Sequence, residues 1–277
     1  MAVNQQEQLI THKVTTIVSL VLSIYGNLRY LVGRSPFDSD SPFNVSNTPF
    51  SSNILVTLIY WGILYFLQIV FVSQIFIPAQ ELARARVELS QVVGWHFTIF
   101  NFAQFIWSML FARRHFILSE IVLFINFFNI LALYYSHKTY SIKPLSNWIL
   151  IHLPTSALPL SWLFYAIFWN GAVMFHIHKF VGRVVCNVLI WDFLIVPSMF
   201  VLFYNDYGVG LSSSVLMFGL GLGQLFTKVF ALQWIFAFII ASILLVLSLV
   251  AAVAGSYYVK QESTRVTDSE AAPLLSN

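Results

Sequence analysis

Residues 229–259 read VFALQWIFAFIIASILLVLSLVAAVAGSYYV, a run without one charged side chain. About 20 apolar residues suffice for a helix to cross the hydrocarbon of a bilayer. The run is continuous rather than alternating, which excludes a half-buried strand and favours a helix. Lipid offers no water to satisfy open backbone groups, so a spanning segment must be a helix or part of a closed barrel. The same reading extends outward over the whole chain. Of its 277 residues 58% are apolar, 17% aromatic and only 9% charged, with a mean hydropathy of +0.79; soluble domains carry about 25% charge. Cutting at charged and Pro/Gly/Ser-rich breaks leaves apolar segments at 12–32, 51–77, 91–112, 115–136, 147–176, 180–204, 208–227 and 229–259. The sequence therefore predicts an all-α, polytopic bundle of about eight spans: one transmembrane domain over 1–259 and a polar, disorder-like tail over 260–277. The first segment lacks a basic leading region and an A-x-A-like site, so it reads as an uncleaved anchor rather than a secretion signal.

The net charge of +3 is spread over short loops, which excludes a basic face for nucleic acid. Cys186 is the single cysteine, so neither a disulfide framework nor a Cys-based metal site is available. With eight spans the 14 Lys and Arg residues divide equally between the two sides, and the positive-inside rule is silent. Two motifs orient the chain instead. Asn44-Val45-Ser46, in the loop SPFDSDSPFNVSNTPF, is a glycosylation sequon and predicts a lumenal or external first loop. In the tail, Glu270 stands four residues before Leu274-Leu275, a spacing that resembles the acidic dileucine signal read by clathrin adaptors; a frayed terminus is the plainer alternative. A lumenal loop and a cytosolic tail require an even number of crossings, with both termini cytosolic. The expected location is a vacuolar, lysosomal or endosomal membrane.

Polar residues at membrane depth carry the remaining information, since they usually face the bundle interior. Asn101 and Asn126 lie equally far from the Arg113-Arg114 turn; with Gln104 and Asn129 they predict amide bonds between spans three and four. Glu120 is expected to pair with Arg113 or Arg114 near the surface. PAQELARARVELSQ, from Pro78, reads as an amphipathic surface helix or a solvated extension of the second span, with Glu81, Arg84 and Glu88 three and four apart. Gly219 and Gly223 form G-x-x-x-G, which lets helices approach closely. His96 and His152 each begin a span entered from the tail side, which keeps a bis-histidine haem as a minor reading; interfacial histidines are the bland one. No Ser/His/Asp, Cys/His or paired-carboxylate constellation stands out, so no catalytic centre, metal or cofactor is expected.

The segment PLSWLFYAIFWN, Pro159 to Asn170, places Trp162, Tyr165, Trp169 and Asn170 on one helical stripe. Buried Trp and Tyr need partners for their N–H and O–H groups. Asp192, within NVLIWDFLIVP on the next span, is the candidate partner at matching depth, because an unpaired carboxylate there is costly. The stripe either lines a ligand pocket or is helix packing.

Three stretches resemble the tryptophan-rich translocator-protein superfamily and, with it, a fungal multi-span family of unknown function. TPFSSNILVTLIYWGILYFLQIVF carries a Thr-Pro opening and Trp61-Gly62-x-x-Tyr65; NFAQFIWSML and LSEIVLFINFFNILALYY resemble that superfamily's Asn-to-Trp and Leu-Ser-led helices; Pro159-x-Ser161 followed by aromatics resembles its Pro-Phe-Ser helix. The likeness covers about residues 48–176. It implies a five-helix core with an aromatic pocket, in which Trp61 and Tyr65 close the cavity against Trp162, Tyr165, Trp169, Asn170 and Asp192. The resulting expectation is a membrane protein that is not an enzyme, binds lipid, and binds or moves a small apolar or amphipathic molecule, with a clathrin adaptor on its tail. A non-transporting membrane organiser is the alternative.

Overall fold

The computed structural model describes residues 2–32, 48–74, 81–143, 145–175, 177, 180–227 and 232–271, with the backbone alone for 2–10, 81–92, 180 and 255–271. All regular structure among these is helical. The elements are α1 (Ala2–Gly26), continued by a π-helical turn Asn27–Val32; α2 (Ile54–Ser73); α3 (Glu81–Ala112); α4 (Phe116–His137); a 3-10 turn Thr139–Ser141; a long composite helix; α7 (Phe180–Leu189); α8 (Asp192–Tyr204); α9 (Tyr207–Thr227); and α10 (Gln233–Ala271). The composite helix consists of α5 (Leu145–Asn147), the π-helical segment Trp148–Ala157 and α6 (Leu158–Met174). Seven segments are long and apolar enough to cross a membrane. Helix α3 packs between α1 and α4 as the eighth, its hydropathy lowered by Asn101, Gln104 and other buried polar residues.

The burial pattern is that of a protein solvated by lipid. Large apolar side chains such as Ile59, Phe66, Ile121, Ile125, Leu249 and Val253 face outward. The interior instead holds Thr16, Ser19, Ser23, Asn27, Gln68, Asn101 and Gln104. Side chains that gain nothing by leaving hydrocarbon stay outside, and polar groups needing partners turn inward. The chain is a multi-pass membrane protein with an all-α bundle fold.

Several expectations meet their outcome here. The stretch from Glu81 is no separate surface helix: it runs unbroken into span three. The span at 180–204 breaks at Ile190 and Trp191, and Asp192 opens its second half. Helix α10 carries on through Ala271, so the first part of the tail, Glu270 included, is helical. Asn44, Leu274 and Leu275 lie outside the described residues. Asn126 and Asn129 of α4 donate to the backbone carbonyls of Phe100 (3.2 Å) and His96 (3.0 Å) of α3, so these two amides tie spans three and four, but not as a side-chain ladder: the Asn101 amide donates to the Phe97 carbonyl of its own helix at 3.1 Å. Gln104 turns the other way and accepts the Trp162 indole N–H at 3.3 Å.

Glycine positions α9. A Cβ on Gly223 would lie 2.8 Å from the Asn53 nitrogen and 2.9 Å from the Ser51 carbonyl oxygen, so only glycine admits the strand of chain that leads into α2. The Asn53 N–H then donates to the Gly219 carbonyl at 2.9 Å. On another face, Gly210 meets Ser248 of α10, where a Cβ would come within 2.1 Å of the hydroxyl oxygen.

Candidate functional site: a lateral cleft and a buried His–Asp pair

Of the predicted aromatic residues, Trp61, Trp162, Tyr165 and Trp169 assemble ring against ring. Trp162 sits in the centre, 4.9 Å from the Trp61 ring, 6.0 Å from Trp107, 6.1 Å from Tyr165 and 6.4 Å from Trp169, mostly edge to face. Such pairs contribute about 0.5–1.5 kcal/mol beyond area burial. Tyr65 points to α1, where its hydroxyl accepts from the Asn27 amide at 2.6 Å and contacts Ser23 Oγ at 3.0 Å. The Tyr165 hydroxyl donates to the Phe50 carbonyl. Asn170 turns to α4: its amide donates to Glu120 Oε2 at 2.6 Å and to the Phe116 carbonyl at 2.9 Å, and its carbonyl accepts from Ser119 at 2.6 Å. Glu120 is therefore held by Asn170 rather than by the arginines of the turn. Asp192 does not join the group. It is half-buried, and the α8 residue that meets the stripe is its neighbour Phe193, 5.9 Å from Tyr165 and 4.7 Å from Phe168.

Open space lies one residue over on α2. Tyr60, Ile63 and Leu67 of α2, Leu145, Trp148, Ile149, Leu153 and Leu158 of the composite helix, and Tyr207, Gly208, Leu211, Ser212 and Val215 of α9 line a cleft of about 410 Å³. Pockets for small ligands span about 300–1,000 Å³. Ile63, Leu145, Ile149 and Val215 are exposed at its mouth, so it opens sideways to the hydrocarbon. By the order of crossings it lies in the half of the bundle nearer the chain ends. Two of its polar side chains are engaged within the protein: the Tyr60 hydroxyl donates to the Leu158 carbonyl at 2.7 Å, and Ser212 Oγ lies 2.5 Å from Ser161 Oγ.

A local departure from α-helical geometry shapes this cleft. Pro154 lacks an N–H and interrupts the regular ladder, and the segment Trp148–Ala157 winds as a π-helix, the Leu158 N–H reaching back to the Leu153 carbonyl. Gln68 of α2 donates to the exposed Pro154 carbonyl at 3.2 Å and satisfies it. Such π segments recur at functional sites.

Behind the cleft wall lies a buried ionisable pair. His152 Nε2 is 3.0 Å from Asp206 Oδ2, and both side chains are fully buried. Asp206 sits in the tight turn between α8 and α9, where Asn205 takes φ 52°. Its Oδ1 accepts the backbone N–H groups of Gly208 (3.1 Å) and Val209 (3.3 Å), capping α9, while Oδ2 also accepts the Tyr134 hydroxyl at 2.9 Å. On the other side of the imidazole, Nδ1 is 3.0 Å from Thr139 Oγ1, which donates to Ser156 Oγ at 3.0 Å. Burial alone would raise the Asp206 carboxyl, but the charge and hydrogen bond of His152, with the bonds from Tyr134 and Val209, hold it below its ordinary 3.8. The group thus contributes stability that is fully present above pH 3.8 and lost as the pH falls through the lowered folded value. Thr139, His152 and Asp206 stand in the order of a nucleophile, base and orienting acid. All three are sealed from the cleft by Trp148, whose ring lies 5.1 Å from His152 and 4.5 Å from Tyr207.

His96 and His152 have separate partners: His96 Nδ1 lies 2.9 Å from Asn129 Oδ1. Among the described residues no group of three or more His, Cys, Asp or Glu side chains is placed to hold a metal. The Asp206 site had a faint signal in the sequence, a cap-forming Asn-Asp pair between two apolar segments. Nothing in the sequence joins it to His152.

Residues 183–275 match the model of a family described as "Fungal protein of unknown function (DUF1774)". An uncharacterized protein of Schizosaccharomyces pombe is 40% identical over 93 residues, which cover 34% of this chain and 33% of that protein. The aligned part therefore spans about a third of the curated relative's length. No solved structure matches the chain. The family match covers the α8–α9 turn with Asp206 and one wall of the cleft, and falls outside residues 48–176, which carry the translocator-protein resemblance. Over its last third this chain is similar to a fungal family of unknown function.

Proposed function

We propose that this multi-pass protein binds, or moves, a small apolar or amphipathic molecule, and that the occupant of the lateral cleft is a membrane lipid's acyl chain or a molecule of like shape. The observation that carries this reading is the cleft's form: walls that are almost wholly apolar, a mouth lined by outward-facing apolar side chains, and the Tyr60 and Ser212 hydroxyls already bonded within the protein, so that an apolar chain enters without breaking those bonds. An empty apolar cavity of about 150 Å³ already holds a benzene, and this one is larger. A vacuolar, lysosomal or endosomal membrane remains the proposed location, with an adaptor reading the tail. The second reading, a membrane organiser, is favoured by the ring-on-ring packing of Trp61, Trp107, Trp162 and Trp169, the arrangement of a packed interior.

The test uses full-length protein in phosphatidylcholine nanodiscs doped with a diazirine-acyl phosphatidylcholine, irradiated and mapped by mass spectrometry. Adducts are expected to concentrate on peptides containing Leu145–Leu158 and Tyr207–Val215, above the level on the lipid-facing side of α10 at Val246 and Leu249. Val215→Trp, which fills the mouth, should reduce the first set and leave the second unchanged. Uniform adducts on all outward faces would favour the organiser.

A further inference from the structure

We propose that the cleft takes its acyl chain from an anionic glycerophospholipid of the leaflet at its outer end, and that Lys143, with Lys138 of the same turn, binds that lipid's phosphate. This names the lipid class and rests on the reading of the cleft as a ligand site.

The cleft has a direction. Leu145 and Tyr207 begin the composite helix and α9, so they mark its outer end at the membrane surface. Leu158 and Val215 lie near the middle of their spans, Leu145–Met174 and Tyr207–Leu225, and mark its deep end. Along α9 the lining runs from Tyr207 to Val215, about 12 Å at 1.5 Å per residue. One leaflet contributes about 15 Å of hydrocarbon, half of the bilayer core. The cleft therefore extends through most of one leaflet and closes near the midplane. A chain lying in it runs alongside that leaflet's lipids, with its polar end at Leu145 and Tyr207. Trp148 and Tyr207 stand there as polar-tipped aromatics, which favour the headgroup level.

The turn that meets a headgroup at this end is basic. It joins α4 to the composite helix and carries Lys138 and Lys143, both exposed. Lys143 precedes the cleft residue Leu145 by two positions, at most about 7 Å of extended chain. Its flexible four-carbon stem lets the ammonium reach a phosphate at the mouth. Packing holds the turn in place. The Tyr140 ring stacks on Tyr134 at 5.1 Å and lies 4.9 Å from Tyr204, and Ile142 packs on the core. Ser141 and Lys143 alternate with these two and are exposed. Ser141 donates from its N–H and its Oγ to the Lys138 carbonyl, at 2.9 and 2.8 Å, which fixes the left-handed corner at Lys138. Among the described side chains, the acid at this end is Asp206, fully buried and bonded to Tyr134, Gly208 and Val209. It presents no surface charge against an incoming phosphate.

Three kinds of occupant separate on these features. A soluble anion uses the lysines and leaves the apolar cleft empty. A zwitterionic lipid fills the cleft but brings a phosphate already neutralised by its own headgroup. An anionic lipid uses both. Attraction of a lysine to anionic lipid at the surface is worth about fivefold in occupancy.

The experiment uses full-length protein in phosphatidylcholine nanodiscs at low salt. Two probes carry the same diazirine chain at the same mole fraction, one a phosphatidylglycerol and the other a phosphatidylcholine. Labelling of peptides covering 145–158 and 207–215 is divided by labelling at Val246 and Leu249, which face outward on α10. We expect this ratio to be about fivefold or more higher for phosphatidylglycerol. Lys138→Gln with Lys143→Gln, both at the surface, should bring the two probes level, and Lys143→Arg should keep the preference. Arg113→Gln removes a charge at the opposite end of the bundle and should leave it unchanged. Added salt should weaken it, since exposed charges are screened. Equal ratios for the two probes in wild type, or a preference that the double glutamine variant leaves intact, overturns the lysine site and leaves the cleft standing. Uniform labelling of all outward faces by both probes overturns the cleft reading and the lipid class with it.

Discussion

At the scale of single residues, aromatic and ionisable side chains divide into those that pack and those with chemistry left to do. Trp162 touches five other rings and donates to Gln104, whose own amide reaches Asn27 at 3.4 Å and through it Tyr65. One indole thus ties four helices. Trp162→Ala is expected to cost about 3–5 kcal/mol, the usual range for emptying a large aromatic site, visible as a marked fall in thermal midpoint in detergent. Asp192, half-buried and away from that core, should tolerate Asn with a change of no more than about 0.5 kcal/mol. A large loss from Asp192→Asn would show that its carboxylate is structurally engaged. The stripe at Pro159–Asn170 was legible in the sequence because helical spacing reveals which residues share a face. Whether that face meets a ligand or other rings was not, since both need the same residue types.

Among the elements, α9 and the composite helix decide the architecture. Helix α9 is admitted between its neighbours by glycines whose missing Cβ atoms would collide with side chains and, at Gly223, with backbone, whereas Gly62 on α2 has open space around it. The two cases should respond oppositely to one methyl group. Gly223→Ala pushes against the backbone of Ser51 and Asn53 and is expected to cost about 1–3 kcal/mol, the scale of overpacking. Gly62→Ala should gain about 0.5–1 kcal/mol through helix propensity. Thermal unfolding of the two variants side by side checks both, and equal effects would refute the close approach of α9 to the α2 lead-in. G-x-x-x-G at Gly219–Gly223 announced such an approach. Its partner, the chain entering α2 from 51 to 53, was beyond what a motif can name.

For the whole molecule, the proposal of eight crossings predicts that both chain ends lie on one side of the membrane. If the first loop is lumenal, protease added to sealed vesicles should remove the tail and spare that loop, with Asn44 carrying a glycan removable by an endoglycosidase. A protected tail would overturn the orientation. Leu274→Ala with Leu275→Ala should move the protein from its organelle toward the cell surface; an unchanged distribution would reject the sorting signal.

What the sequence by itself determined is the set of spans and the membrane class, because hydrocarbon forces backbone groups to bond within each segment and so turns hydropathy into helices. It also pointed to Asn101, Gln104 and Asn126 as inward-facing, from their cost in lipid, while it misplaced Asp192 and Glu120. The tertiary structure alone decided which inward residues meet. His152 and Asp206 lie 54 positions apart, and their encounter depends on how each helix is rotated about its axis. Here that rotation is set partly by ten residues wound as a π-helix around Pro154, where i→i+5 bonding replaces the usual register. Apolar periodicity records the face of a helix that avoids lipid, but the angular shift such a segment imposes on everything after it appears only once the neighbours that stabilise it, Gln68 and the capped turn at Asp206, are in place.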